Sequence, residues 1–108
     1  RIEVKASSEH PNYRFQQVRD PRFTGAAGMD YDALLCLGVT ASTLEAWFIP
    51  GRDVGAFIDS GLFPGQHGGK KIASNTFWFV TDVKTRELLK PFATAAADLR
   101  ETAFRLSA

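Results

Sequence analysis

Tyr31-Asp32-Ala33-Leu34-Leu35-Cys36-Leu37-Gly38-Val39 is the stretch on which the fold turns. It is apolar almost throughout and of strand length, the pattern of a central strand covered on both faces. Thr40-Ala41-Ser42-Thr43 follows as a polar turn, and Leu44-Glu45-Ala46-Trp47-Phe48-Ile49 reads as a further strand ended by Pro50. Together they predict a hairpin. Asp30 and Asp32 flank Tyr31 and read as sheet-entry residues that hold a turn.

Toward the N-terminus, residues 1–6 alternate Ile2 and Val4 with Glu3 and Lys5, which is a strand period. Residues 7–12 carry the breakers Ser7, Ser8, His10 and Pro11. Residues 13–19 read as a second strand, expected antiparallel to the first because the connection is short. Residues 20–30 form a loop. Toward the C-terminus, residues 52–60 predict a short helix, with Val54, Phe57 and Ile58 at helical spacing and Gly61 as the stop. Residues 61–74 are the most glycine-dense part, and 75–80 predict a last strand. Leu88, Phe92, Ala96, Leu99, Ala103 and Leu106 form one apolar stripe, which predicts a helix over 85–106. Pro91 is its weak point, as a kink or as the first turn of a helix starting near residue 90. The order predicts an α/β (α+β) protein with a mixed central β-sheet flanked by helices.

The chain has 108 residues, so residues 1–108 are expected to form a single domain. A formal charge of +1 neither requires nor excludes a nucleic-acid partner. One cysteine, Cys36, rules out an internal disulfide; it reads as a small core residue and fits a reducing cytoplasm, the expected location. No apolar run reaches membrane-spanning length, and no membrane partner is expected. The start, strand-like and without Met, reads as that of a fragment.

Glu3 and Lys5 share one face of their strand. A carboxylate beside an ammonium suits metal-assisted phosphodiester cleavage: the carboxylate holds a divalent cation, and the ammonium orients a water and offsets charge near phosphate. Taken alone, such a pair more often marks a solvent-facing charged edge. Tyr13, Phe15 and Gln17 would share one face of the second strand, and Arg14, Gln16 and Val18 the other. If Tyr13 and Phe15 pack inward, Gln16 lies on the polar side.

Gly65-Gln66-His67-Gly68-Gly69-Lys70-Lys71 is the other candidate site. Glycines let a backbone approach a ligand, Lys70 and Lys71 suit the DNA backbone, Gln66 suits an adenine edge, and His67 suits a base or phosphate. A solvated surface loop is the plainer reading. Asn75 and Thr76 extend the same surface. His10 and His67 have no neighbouring Cys, which argues against zinc. Trp47 and Trp78, in apolar strands, read as core.

Ile2-Glu3-Val4-Lys5-Ala6-Ser7, then residues 13–20, 31–39, 45–50 and 65–70 in this order, resemble the second half of restriction-endonuclease-like nucleases, the PD-(D/E)xK group, and most of all bacterial type II-style enzymes. The resemblance covers roughly residues 1–80. It implies a restriction-endonuclease-like core, of which this chain is the C-terminal part. It also implies Mg²⁺ as cofactor, double-stranded DNA as partner, Glu3 as metal ligand and Lys5 as catalytic lysine. A Gln on the next element often joins the site, which makes Gln16 or Gln17 a candidate, with Gln16 preferred. Gln66, His67, Lys70 and Lys71 would bind DNA, and a homodimer is a family expectation. The family also needs an acid, usually Asp, on the strand before the Glu; only Arg1 and Ile2 precede Glu3 here. The expected function is therefore a restriction-type, metal-dependent DNA endonuclease present as a fragment. The alternative is a non-catalytic nucleic-acid- or protein-binding module on the same scaffold. A third reading is an interaction domain that dimerises through the C-terminal helix.

Overall fold

The structure is a computed structural model that describes residues 1–22, 31–65, 76–95 and 98. Its elements are β1 (Ile2–Ser7), β2 (Arg14–Val18), β3 (Ala33–Val39), β4 (Leu44–Pro50), α1 (Gly51–Asp59), β5 (Phe77–Val80), α2 (Val83–Leu89), a 3₁₀ turn (Lys90–Phe92) and β6 (Ala93–Thr94). The content is mixed α+β, as the element order predicts.

The strands divide between two sheets. One is mixed and four-stranded, in the order β1-β3-β4-β6; the other is a two-stranded ribbon of β2 and β5. The expected β3–β4 hairpin is present, with Cys36 opposite Trp47 and Leu34 opposite Ile49. The expected antiparallel pairing of the first two strands is not. β1 runs parallel to β3, Glu3 beside Leu34 and Lys5 beside Cys36, while β2 pairs antiparallel with β5.

Side-chain burial explains why β2 leaves β1. Tyr13, Phe15 and Val18 are all buried, and Phe15 lies opposite Phe79. Strict alternation would put Val18 on the face opposite Phe15. A register shift between Phe15 and Val18, where Gln17 takes φ 56°, brings both to the core side. Ser7 Oγ fixes the corner by accepting from the Arg14 amide at 3.1 Å. Thr81 closes the far end of the ribbon: its amide donates to the Tyr13 carbonyl, and its hydroxyl accepts from the Tyr13 amide, both at 2.9 Å.

The core lies between the two sheets and is largely aromatic. Phe63 and Phe79 stack at 4.2 Å, and Phe15 lies 5.2 Å from Phe79 and 6.3 Å from Trp47. Trp47 is buried, as its apolar strand predicts. Trp78 is not core; it is half-buried, because its strand neighbours Phe77 and Phe79 take the opposite face.

The short helix forms as expected. Gly61, at φ +83°, stops it in the left-handed conformation that glycine tolerates, and its amide donates to the Ile58 carbonyl. Arg22 ties this helix to the end of β2 by pairing with both Asp20 and Asp59. The expected helix over 85–106 is interrupted at residues 90–95. α2 begins at its Asp82 cap, which accepts from the Thr85 amide at 2.9 Å, and ends at Leu89. Pro91 has no N–H to continue the ladder, so the chain tightens into a 3₁₀ turn and then extends as β6 along β4. Ala96, Leu99, Ala103 and Leu106 lie outside the described residues.

Gly38 sits directly under the Tyr13 ring, and a Cβ there would collide with three ring carbons. Gly38→Ala is expected to cost roughly 1–3 kcal/mol through overpacking, read as a lower Tm. An unchanged Tm would mean that the Tyr13 ring does not bear on this strand.

Candidate functional site

Among the described residues β1 is an edge strand, and its polarity runs opposite to that of an ordinary edge. Neighbours in register on parallel strands project to the same side. Glu3 and Lys5 therefore stand on the side of Leu34 and Cys36, both fully buried, while Val4 on the other side is 53% exposed. The Glu3 side chain is only 22% exposed, and Lys5 is half-buried. A solvent-facing charged edge would have Val4 inside and both charges outside.

The electrostatic surroundings of the pair are uneven. Arg1 lies 3.6 Å from the Glu3 carboxylate. Lys5 makes no ion pair among the described residues, although its ammonium is near enough to act on the Cys36 thiol. Burial outweighs that influence and pushes the thiol far up, so Cys36 stays a neutral core group as the sequence implies. Burial likewise pushes the Tyr31 hydroxyl up, and the carboxylates of Asp20 and Glu3 add to the effect. That hydroxyl donates to the Arg19 carbonyl. The charge of Glu3, the end of β2 and Tyr31 thus meet at one end of the sheet.

Asp32 behaves as a sheet-entry residue. Its amide donates to the Arg1 carbonyl, its carbonyl accepts from the Gly51 amide, both at 2.8 Å, and its carboxylate pairs with the Arg1 amine. Asp30 lies outside the described residues. Gln16 and Gln17 are both exposed on β2, which packs against β1 from the other layer. The bulge is what exposes both; a strand-period reading gives them opposite faces. Gln66, His67, Lys70 and Lys71 lie outside the described residues. The two ends of their segment are held side by side, Gly65 bridging Phe77 and the Trp78 amide donating to the Pro64 carbonyl at 3.1 Å. No group of three or more His, Cys, Asp or Glu able to hold a metal occurs among the described residues.

Two features have no signal in the linear sequence. Arg14 stacks on Trp78, its guanidinium carbon 4.5 Å from the ring centroid. Arg86 donates to Glu45 at 2.7 Å and to the Thr81 carbonyl at 2.9 Å, and lies over Trp47. Both partnerships join residues far apart in the chain, so local pattern cannot announce them.

No family model, curated protein or solved structure matches this chain. No helix among the described residues is long and apolar enough to cross a membrane.

Hydrogen bonds from Arg22 and Arg86 hold the carboxyls of Asp20 and Glu45 below their ordinary range. A carboxyl lowered in the folded state stabilises fully above its unfolded value and loses that contribution as pH falls through the folded value. For Glu45 the decline begins below its ordinary value of 4.5. Arg86→Met is expected to flatten the pH dependence of the urea midpoint in that acid range. An unchanged slope would mean that the Glu45–Arg86 pair contributes nothing to acid sensitivity.

Proposed function

We propose that this chain is part of a metal-dependent, restriction-type DNA endonuclease, with its site on β1 at Glu3 and Lys5. The observation that carries the proposal is the inverted strand. Glu3 and Lys5 lie on the core side, Lys5 without an ion-pair partner among the described residues, while Val4 faces out. A half-buried lysine on the core side, with no ion pair among the described residues, leaves its ammonium available to an arriving charge. The phosphate of a nucleic acid is such a charge. The succession of segments resembling PD-(D/E)xK nucleases supports the same reading.

The donor chemistry suits Mg²⁺, a hard cation commonly bound by one or two carboxylates, several waters and the phosphates of its substrate. Glu3 supplies one such carboxylate. Held by Glu3, Mg²⁺ would supply Lewis-acid chemistry, activation of water as a nucleophile and neutralisation of phosphate charge. Lys5 holds the attacking water and offsets the charge gathering on the phosphate, and its tie to the sheet fixes its position beforehand. Gln16 lies on the exposed side of β2 with Arg14 and takes no part in holding this water. Gln66, His67, Lys70 and Lys71 contact DNA. The enzyme is cytoplasmic and acts on double-stranded DNA as a homodimer.

The Arg1–Glu3 pair favours a second reading, a binding module in which Glu3 is neutralised by Arg1. One experiment separates the two. In the full-length protein, plasmid cleavage is expected with Mg²⁺, none with EDTA, and a loss of at least about a hundredfold in Lys5→Ala and Glu3→Gln. Cleavage intact in both variants would place the site elsewhere. Protein that binds DNA without cutting it would favour the module.

A further inference from the structure

The outer faces of the two sheets differ in kind. That of the four-stranded sheet exposes Val4, Val39 and Leu44. That of the β2–β5 ribbon carries Arg14 stacked on half-buried Trp78, with Gln16 and Gln17 exposed on the bulged strand. Neither β2 nor β5 contains an acidic residue. An open cleft of about 680 Å³ runs beside Trp78 and is bordered by Asn12, Val80, Asp82 and Lys84. Arg14 and Lys84 make no ion pair among the described residues, in contrast to Arg22 and Arg86. Asp82 shares the cleft; its carboxylate accepts from the Thr85 amide as a helix cap and stays charged beside Lys84, which leaves Arg14 as the cation of this face that has no carboxylate beside it on the ribbon.

We propose that the outer face of the β2–β5 ribbon is a seat for duplex DNA, with Arg14, supported by Trp78, and Lys84 on the phosphate backbone and Gln17 at a base edge. The inference rests on the nuclease reading above and adds a second DNA-contacting surface, on the side of the ribbon that faces away from the core. The indole takes the flat face of the Arg14 guanidinium and leaves its in-plane N–H donors for phosphate oxygens. The ring also limits the rotamers of a long exposed side chain, so less entropy is lost on binding. A two-stranded antiparallel ribbon is one of the shapes that B-DNA's major groove admits, and a glutamine amide matches the donor–acceptor edge of adenine. A bulge re-aims side chains, and here it adds Gln17 to the exposed side of the ribbon. The four-stranded sheet's outer face, apolar at Val4, Val39 and Leu44, lacks these groups.

The test is fluorescence anisotropy of the full chain with a labelled mixed-sequence duplex three helical turns long, in EDTA so that binding is read without cutting. A salt series is run for the wild type, Arg14→Ala, Lys84→Ala and Gln17→Ala, with Tm as a check on folding. Arg14 and Lys84 are exposed, and their loss should leave Tm near that of the wild type. Each is expected to weaken binding several-fold and to lower the slope of log affinity against log salt by about one. Gln17→Ala should leave that slope unchanged. Equal affinity and slope in all three variants would overturn the ribbon seat, yet leave the nuclease reading intact if Lys5→Ala still abolishes cleavage. Tighter binding of the single strand than of the duplex would overturn it as well, and would make Trp78 a base-stacking platform. A wild type that neither binds nor cuts DNA would remove both readings.

Discussion

One aromatic seam holds two unequal sheets together. Phe63 stacks on Phe79, Phe79 meets Phe15, and Phe15 and Tyr13 both pack against Trp47. These rings come from β2 and the residue before it, β4, β5 and the segment after α1, so the seam gathers these parts of the chain into one contact surface. Ring pairs of this kind add about 0.5–1.5 kcal/mol each beyond the area they bury. The seam also fixes the distance and the facing of the layers. Gly38 lets Tyr13 lie directly on β3, and the bulge in β2 turns Val18 inward with Phe15.

What the seam settles is which faces remain outside. With Leu34, Cys36, Trp47 and Ile49 buried, the same side of β1 must carry Glu3 and Lys5. With Phe15 and Phe79 turned inward, Arg14 and Trp78 must be outside. The two candidate surfaces therefore follow from a single packing decision. One is a partly buried cation and carboxylate at the sheet edge; the other is a basic and amide-bearing ribbon. Arg86 secures the arrangement from the side, joining α2 to Glu45 on β4 and to the carbonyl of Thr81.

The parts of the fold legible in the sequence were those set by local pattern. The run 33–39 and its turn announce the β3–β4 hairpin, and Gly61 announces the end of α1. The partner of β2 was not legible, because β5 lies some sixty residues away and the bulge at Gln17 breaks the strand period on which face assignment depends. The stripe from Leu88 onward gave no sign of the break at residues 90–95, since one missing N–H at Pro91 outweighs a favourable apolar spacing there. At the site, alternation told that Glu3 and Lys5 share a face. It could not tell which face is inward, as that depends on the register with β3. The Arg14–Trp78 stack had no sequence signal at all, and Gln66, His67, Lys70 and Lys71 fall outside the described residues.

The most direct measurement is a titration of the isotope-labelled chain with Mn²⁺, followed by paramagnetic broadening of its amide resonances. Broadening is expected to centre on Glu3, Val4 and Lys5 and to reach their neighbours in β3, to be competed by Mg²⁺ and to be lost in Glu3→Gln. Broadening that is diffuse over surface carboxylates, or that persists unchanged in Glu3→Gln, would contradict a metal site on β1.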